Sequence, residues 1–381
     1  MNKKEKNKTI RTFGIASFLN DMGADMVYSI WPLFLIFLGA SKEMIGLIDG
    51  LGDSIVSLSK AGAGYLSDRI RKRKAFIWFG YTIGGLSRIG YALSSTWQAI
   101  IPLRIFDRFG KIRDAPRDAI VAEYSVKKEH GRKFGFLNFM DNLGATCGII
   151  IASILIATIG ISYRNLFLLA AIPGLLAAIV IFFGIKEKRK SIRLYKGISF
   201  KQIDWNTRLF TILSAIFALG AFSYSFLLIF ASEYGFRNAT IPLLYLTFVL
   251  VASLSSIPLG RLSDKIGRKN TLAISFALWG IVTFSFIYLT GYLAIILIFV
   301  VYGLHLGSLT VVQKAFVSEL APKKYKASVL GGFQMVIGLA ALPASLLAGY
   351  LWQNFGKFAP FYLSIVLTLI SLILLVFVKE K

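Results

Sequence analysis

Cysteine is almost absent from this chain. The single one, Cys147, lies inside an apolar run, and one thiol cannot close an intrachain disulfide, so no oxidised framework is expected. Histidine is nearly as scarce: with only His130 and His305, a dedicated zinc site is not expected, and neither is any other metal or cofactor. No glycine-rich phosphate loop ending in Lys-Ser/Thr is present, which argues against ATP as a direct energy source. No nucleophile and base can be named as a pair, so the chain does not read as an enzyme. Charge is thin too, 16% of residues against about 25% in a soluble protein. The basic start Met1-Asn-Lys-Lys-Glu-Lys is followed by no small-residue cleavage site, and is read as a retained cytosolic tail rather than a signal peptide.

What fills the sequence is hydrocarbon. Of 381 residues 56% are hydrophobic, with 32 Phe, and the mean hydropathy is +0.68. A membrane-spanning helix needs about 20 mostly apolar residues. Twelve runs meet this, near 12–38, 44–66, 75–95, 97–122, 134–159, 165–185, 208–231, 240–261, 271–290, 292–317, 328–351 and 360–378; they are called spans 1–12 below. Spans 1, 2 and 4 contain charges that lower their hydropathy. The formal charge of +24 does not point to nucleic acid, because it is sorted by loop. Lys and Arg crowd alternate connections, at 3–11, 69–74, 127–133, 186–208, 265–269, 323–326 and 379–381. The opposite connections hold only Lys42, Arg164, Arg237 and Lys357. By the positive-inside rule both termini are cytoplasmic, and the basic loops are placed to touch anionic lipid headgroups.

The basic stretch near 188–207 divides the chain into halves 1–187 and 208–381. The halves carry the same turn. Gly260-Arg-Leu-Ser-Asp264-Lys265-Ile-Gly267-Arg268-Lys269 is a short basic turn between two apolar runs. Gly64-Tyr-Leu-Ser-Asp68-Arg69-Ile-Arg71-Lys72-Arg73 repeats it 196 residues earlier, and the same offset carries Glu123 onto Glu319 and Gly135 onto Gly331. Matches in step at one long offset indicate duplication, and the shared orientation indicates parallel halves.

Twelve spans in two sixes, a central basic loop and this doubled turn after spans 2 and 8 resemble the major facilitator superfamily over nearly the whole chain. The second copy fits the family's turn at each fixed position; the first departs once, with Arg71 where the family has Gly. The stretch from Arg104 to Asp118 resembles a prokaryotic, archaeal-type branch of that superfamily. The fold class implied is an all-α integral membrane protein of 12 transmembrane helices in two pseudo-symmetric six-helix bundles. The resemblance also implies a gating role for Gly64, Asp68, Arg69, Gly260, Asp264, Lys265, Gly267 and Arg268. An aspartate at a cytoplasmic helix end is stabilised by the unpaired amides at the start of another helix. Asp68 would meet the start of span 11 and Asp264 the start of span 5, with the basic residues anchored on Glu123 and Glu319.

Ionisable groups inside spans are costly unless paired or wetted, and so are functional candidates. The first half holds eight acids (Asp21, Asp25, Asp49, Asp53, Asp107, Asp114, Asp118, Asp141) and seven bases (Lys60, Arg88, Arg104, Arg108, Lys111, Arg113, Arg117). The second has only His305 and Lys314 well inside. Two readings stay open: a structural network in which most groups neutralise one another, or a network with some members free to face a cavity. In the superfamily spans 1, 4, 7 and 10 line that cavity. This favours Asp21, Asp25, Arg104, Asp107 and Arg108, with His305 opposite them. Asp25 lies about 20 Å along span 1, near mid-membrane, and is the expected proton-coupling carboxylate, with Asp53 or Asp107 as runner-up. On span 5, Gly144-Ala-Thr-Cys-Gly148 permits close helix approach. The function expected is a monomeric secondary active transporter in the cell membrane, moving a small molecule or ion, with proton coupling. The alternatives are a non-transporting receptor or sensor on the same frame, or an intramembrane enzyme.

Overall fold

The computed structural model describes residues 3–70, 72–125, 129–185, 204–322 and 326–380. The linker near 188–203 and Arg71 lie outside the described residues, as do the side chains of 64–70, which include Asp68 and Arg69. The described chain is helical: α1 (Lys3–Tyr28), α2 (Trp31–Phe37), α3 (Lys42–Ile70), α4 (Arg73–Leu93), α5 (Trp97–Phe109), α6 (Asp114–Tyr124), α7 (His130–Ile159), α8 (Tyr163–Gly184), α9 (Trp205–Gly220), α10 (Tyr224–Tyr234), α11 (Ile241–Ile266), α12 (Arg268–Tyr288), α13 (Tyr292–Leu320), α14 (Lys326–Phe355) and α15 (Ala359–Val376). These account for all twelve spans. Spans 1, 4 and 7 are each broken in two, as α1/α2, α5/α6 and α9/α10.

Each break has a local cause. Pro32 sits in the first turn of α2; it has no amide to offer the Tyr28 carbonyl and its ring excludes a continuous helix there. Span 4 tightens into a 3-10 turn at Gly110–Arg113 just before Pro116, which cannot bond back to Ile112. Span 7 stops at Gly220 and restarts at Ser223, whose hydroxyl accepts the Ser225 amide and caps α10.

Among the described residues, eight helical segments are long and apolar enough to cross a membrane, all from α7 onward. The four spans of the charged quarter fall below that mark, span 3 along with 1, 2 and 4. Large apolar side chains nonetheless point outward throughout, such as Leu93, Phe183 and Leu254, each at least 75% exposed. Such a surface suits lipid and not water.

The chain forms two compact units. Unit 1 comprises 1–39, 55–195 and 238–243; unit 2 comprises 40–54, 196–237 and 244–381. The core of unit 1 gathers Phe13, Ile77, Tyr81, Val121, Leu137 and Ile181. That of unit 2 is aromatic, with Phe217 stacked on Phe276 at 4.0 Å and Phe210 on Phe333 at 5.5 Å. The units trade short segments: the start of α3 packs in unit 2, and residues 238–243 pack in unit 1. The trade obeys the 196-residue repeat. In unit 2, Gly349 of α14 abuts Lys42 and Glu43 so closely that a Cβ would overlap the Lys42 carbonyl. In unit 1, Ser153 of α7 donates to the Ala239 carbonyl at 2.8 Å. Ser153 and Gly349 are repeat equivalents, as are Glu43 and Ala239.

Candidate functional site

The embedded charges of unit 1 fall into three groups. The first lies at the break in span 1. Tyr28, the last residue of α1, donates to Asp107 Oδ2 at 3.0 Å. Arg104 and Arg108, one helical turn apart on α5, flank that carboxylate at 3.9 Å each. Their guanidinium groups lie over aromatic faces, Arg104 4.2 Å from Trp31 and Arg108 4.3 Å from Tyr28. Cation–π contact of this kind strengthens as water is removed, and all three charged side chains are buried. Asp107, Arg104 and Arg108 thus form one ion-paired knot around the broken helix.

Arg88 of α4 is the second group. It donates to the Asn20 carbonyl at 3.0 Å, to Asn20 Oδ1 at 3.2 Å and to the Ala170 carbonyl at 3.0 Å. A buried guanidinium satisfied by α1 and α8 acts as a bolt between three helices.

The third group spreads across α1, α3, α6 and α7. Arg117 donates to Ser17 Oγ at 2.8 Å and to Asp118 at 3.0 Å, and stands 3.9 Å from Asp141. Lys60 pairs with Asp114 at 3.2 Å, and Asn20 donates to Asp21 at 2.7 Å. Asp21 and Asp25, four residues apart on one face of α1, are half-buried. This group has unused capacity. Asp141 Oδ1 is buried with no hydrogen-bond partner, and Lys111, half-buried on the 3-10 turn, makes no ion pair among the described residues.

In unit 2 the sequence candidates are His305 and Asp53. His305 of α13 is 1% exposed, and its Nδ1 lies 2.7 Å from the Ser275 carbonyl. Asp53 is exposed and close enough to Tyr302 to act on it electrostatically. Asp49 was marked in the sequence as an embedded acid and Lys42 as a loop base, but not their partners: Asp49 accepts from Ser223 Oγ at 2.6 Å, and Lys42 pairs with Glu233 at 2.8 Å. Both tie the start of α3 to span 7.

At the doubled turn, Gly267 has φ +91°, a left-handed conformation that disfavours any side chain; it lets α11 and α12 meet at one residue. Arg268 pairs with Glu319 and lies 3.9 Å from Asp264, which is largely exposed. In the first copy it is Arg73 that reaches Glu123, at 2.7 Å. Glu380 accepts the backbone amides of Arg268 and Lys269, placing a carboxylate on the N-terminus of α12. Gly260 on α11 sits in ordinary contact with Val311.

The family model described as Major Facilitator Superfamily matches residues 13–207 and 208–381. The chain is 36% identical to an uncharacterized MFS-type transporter of Methanocaldococcus jannaschii, over 99% of this chain and 96% of that protein. It is 24% identical to the fosmidomycin resistance protein of Escherichia coli, over 87% of this chain and 84% of the relative. Among solved structures it superimposes on the nucleoside transporter NupG with a TM-score of 0.76 at 15% identity, covering 98% of this chain and 100% of that one.

Proposed function

The chain belongs to the Major Facilitator Superfamily, a multi-pass membrane protein family, and from that membership we propose that it is a proton-coupled secondary active transporter. It moves a small organic solute across the cytoplasmic membrane by alternating access, as a monomer with both termini inside. The observation that carries the coupling is the unused capacity around Asp141. The charges around Asp107 and the guanidinium of Arg88 are held by close partners, whereas Asp141 keeps one buried carboxylate oxygen without a donor, with Arg117 3.9 Å from its other oxygen. Protonation removes the buried negative charge that this poorly solvated carboxylate would otherwise carry. When it loses the proton, Arg117 and Lys111 are the nearest compensating charges. Asp21 on α1 belongs to the same cluster, and Asp25 lies one turn further along the same face. The turns carrying Asp68 and Asp264 gate the cytoplasmic ends, held by the Arg73–Glu123 and Arg268–Glu319 pairs.

The test uses proteoliposomes with an imposed pH gradient and a solute panel. Asp141→Asn should lose gradient-driven accumulation by at least about tenfold, the usual scale for removing a proton-transfer group, while retaining solute exchange at equal pH. Asp25→Asn is run beside it. Wild-type accumulation by Asp141→Asn would remove that residue from the coupling path, and loss in Asp25→Asn alone would move the path to α1.

A further inference from the structure

Unit 2 has a partly open cavity of about 200 Å³ between α9, α12, α13 and α14. Its walls are rings. Trp279 lies 5.4 Å from His305, 5.6 Å from Tyr302 and 5.7 Å from Phe222, and Phe217 lies 5.7 Å from His305. No lining residue carries a fixed charge. Trp279 has spent its one donor on Ser364 Oγ at 2.8 Å, so it offers only a face.

The polar groups on the wall are Ser214, Tyr302, His305 and Gln313, and two of them stand out. Ser214 is wholly buried and its hydroxyl has no hydrogen-bond partner. A buried hydroxyl without a partner is costly, and each such case in a folded protein calls for an explanation. His305 supplies the second. A carbonyl can only accept, so the contact with the Ser275 carbonyl fixes the hydrogen on Nδ1. In the uncharged ring Nε2 is then an acceptor, and among the described residues nothing donates to it. The cavity therefore combines aromatic walls and one fixed acceptor, His305 Nε2, with the hydroxyls of Ser214 and Tyr302 and the amide of Gln313.

We propose that this cavity binds an uncharged, planar aromatic molecule of one or two rings that donates a hydrogen bond to His305 Nε2, and that such molecules are the transported class. The second half rests on the transport reading; the first does not. An organic anion finds no cation on this wall and an ammonium ion no carboxylate. Shape selects for flat rings that lie against the aromatic wall of Phe222, Trp279 and Tyr302. The ring N–H or hydroxyl is read by the imidazole, because a donor left facing an apolar wall loses affinity.

Equilibrium dialysis of radiolabelled indole against the purified full chain in detergent tests the binding. Saturable binding is expected, competed by phenol and not by benzoate or benzylamine. Quinoline has indole's shape without its N–H and should bind about tenfold more weakly. Ser214→Ala should raise the melting temperature, by removing the orphan hydroxyl, and weaken indole several-fold. Ser308→Ala removes another buried orphan hydroxyl outside the cavity lining and should raise the melting temperature with binding unchanged. Ser214→Leu should fill the cavity and abolish binding. Absence of saturable binding to the folded wild type, benzoate or benzylamine binding as tightly as indole, or unchanged binding in Ser214→Leu would each overturn the proposal. Flux is read separately with adenine, a flat uncharged ring system, in proteoliposomes. Indole-sensitive adenine flux that Ser214→Leu abolishes supports both halves. Binding without flux keeps the cavity and counts against adenine-like molecules as cargo. Flux of another solute that Ser214→Leu leaves intact keeps transport and overturns the cavity's part in it.

Discussion

Arg88 makes three hydrogen bonds from a site only 3% exposed, and its planar fork is what allows them at once. Lysine has one ammonium and a different reach. Arg88→Lys should cost about 3 kcal/mol, since hydrogen bonds to charged groups contribute about 1.5–3 kcal/mol each; thermal unfolding in detergent measures it. Asp107 is expected to behave differently from Asp141. Asp107→Asn leaves Arg104 and Arg108 with an excess of buried positive charge, so it should lower stability by about 3–5 kcal/mol, whereas Asp141→Asn should leave the melting temperature nearly unchanged. At this scale the sequence was half legible. Charge inside an apolar run is visible by itself, and it marked Asp107, Arg104 and Arg108. Which charges are spent is not visible, because the partners are remote in sequence: Tyr28 reaches Asp107 across 79 positions and Ser223 reaches Asp49 across 174. Ser214 was silent, since a serine in an apolar helix is ordinary and only its lack of a partner is not.

Helices were the most legible level. Length and apolar content located every span, being properties of contiguous residues, although the first four spans fall short of the hydropathy of the other eight. The glycine pair on span 5 was also readable: Gly144 and Gly148 of α7 press on the backbone of Phe18 and Met22 in α1. The breaks in spans 1, 4 and 7 were not, since a proline near a helix start and a serine cap are compatible with a continuous apolar run. The start of α3 shows how tightly elements are fitted. A side chain on Gly46 would overlap the Ser345 carbonyl of α14. Gly46→Leu should therefore destabilise by at least about 1–3 kcal/mol, the range for overpacking, with a lower melting temperature as the readout. Gly267→Ala should cost about 1–2 kcal/mol for a side chain in the left-handed region, seen in the same measurement.

Across the whole molecule the repeat was legible as an offset of 196, and the structure gives the offset a physical content. The two units exchange repeat-equivalent segments, 40–54 and 238–243, so neither sequence half contains all of its own unit. Residues 1–187 and 208–381 expressed apart should each aggregate, and co-expression should restore a complex that co-purifies. Recovery of either half alone as a monodisperse species would contradict this. What no offset could convey is the asymmetry of use: one half keeps its charges in a network, the other its aromatic rings around a hollow.

The clasp of Glu380 on the amides of Arg268 and Lys269 has a consequence for biosynthesis. The two ends of that clasp are 112 residues apart, which is about 6–22 s of translation at ordinary elongation rates. Throughout that interval four more helices must be made and inserted while the amides at the start of α12 remain open to water. The junction between α11 and α12 is therefore laid down early by its glycine and fastened late by an acid, so a nascent protein stalled before Glu380 would expose an unfastened joint to the quality-control proteases of the cell.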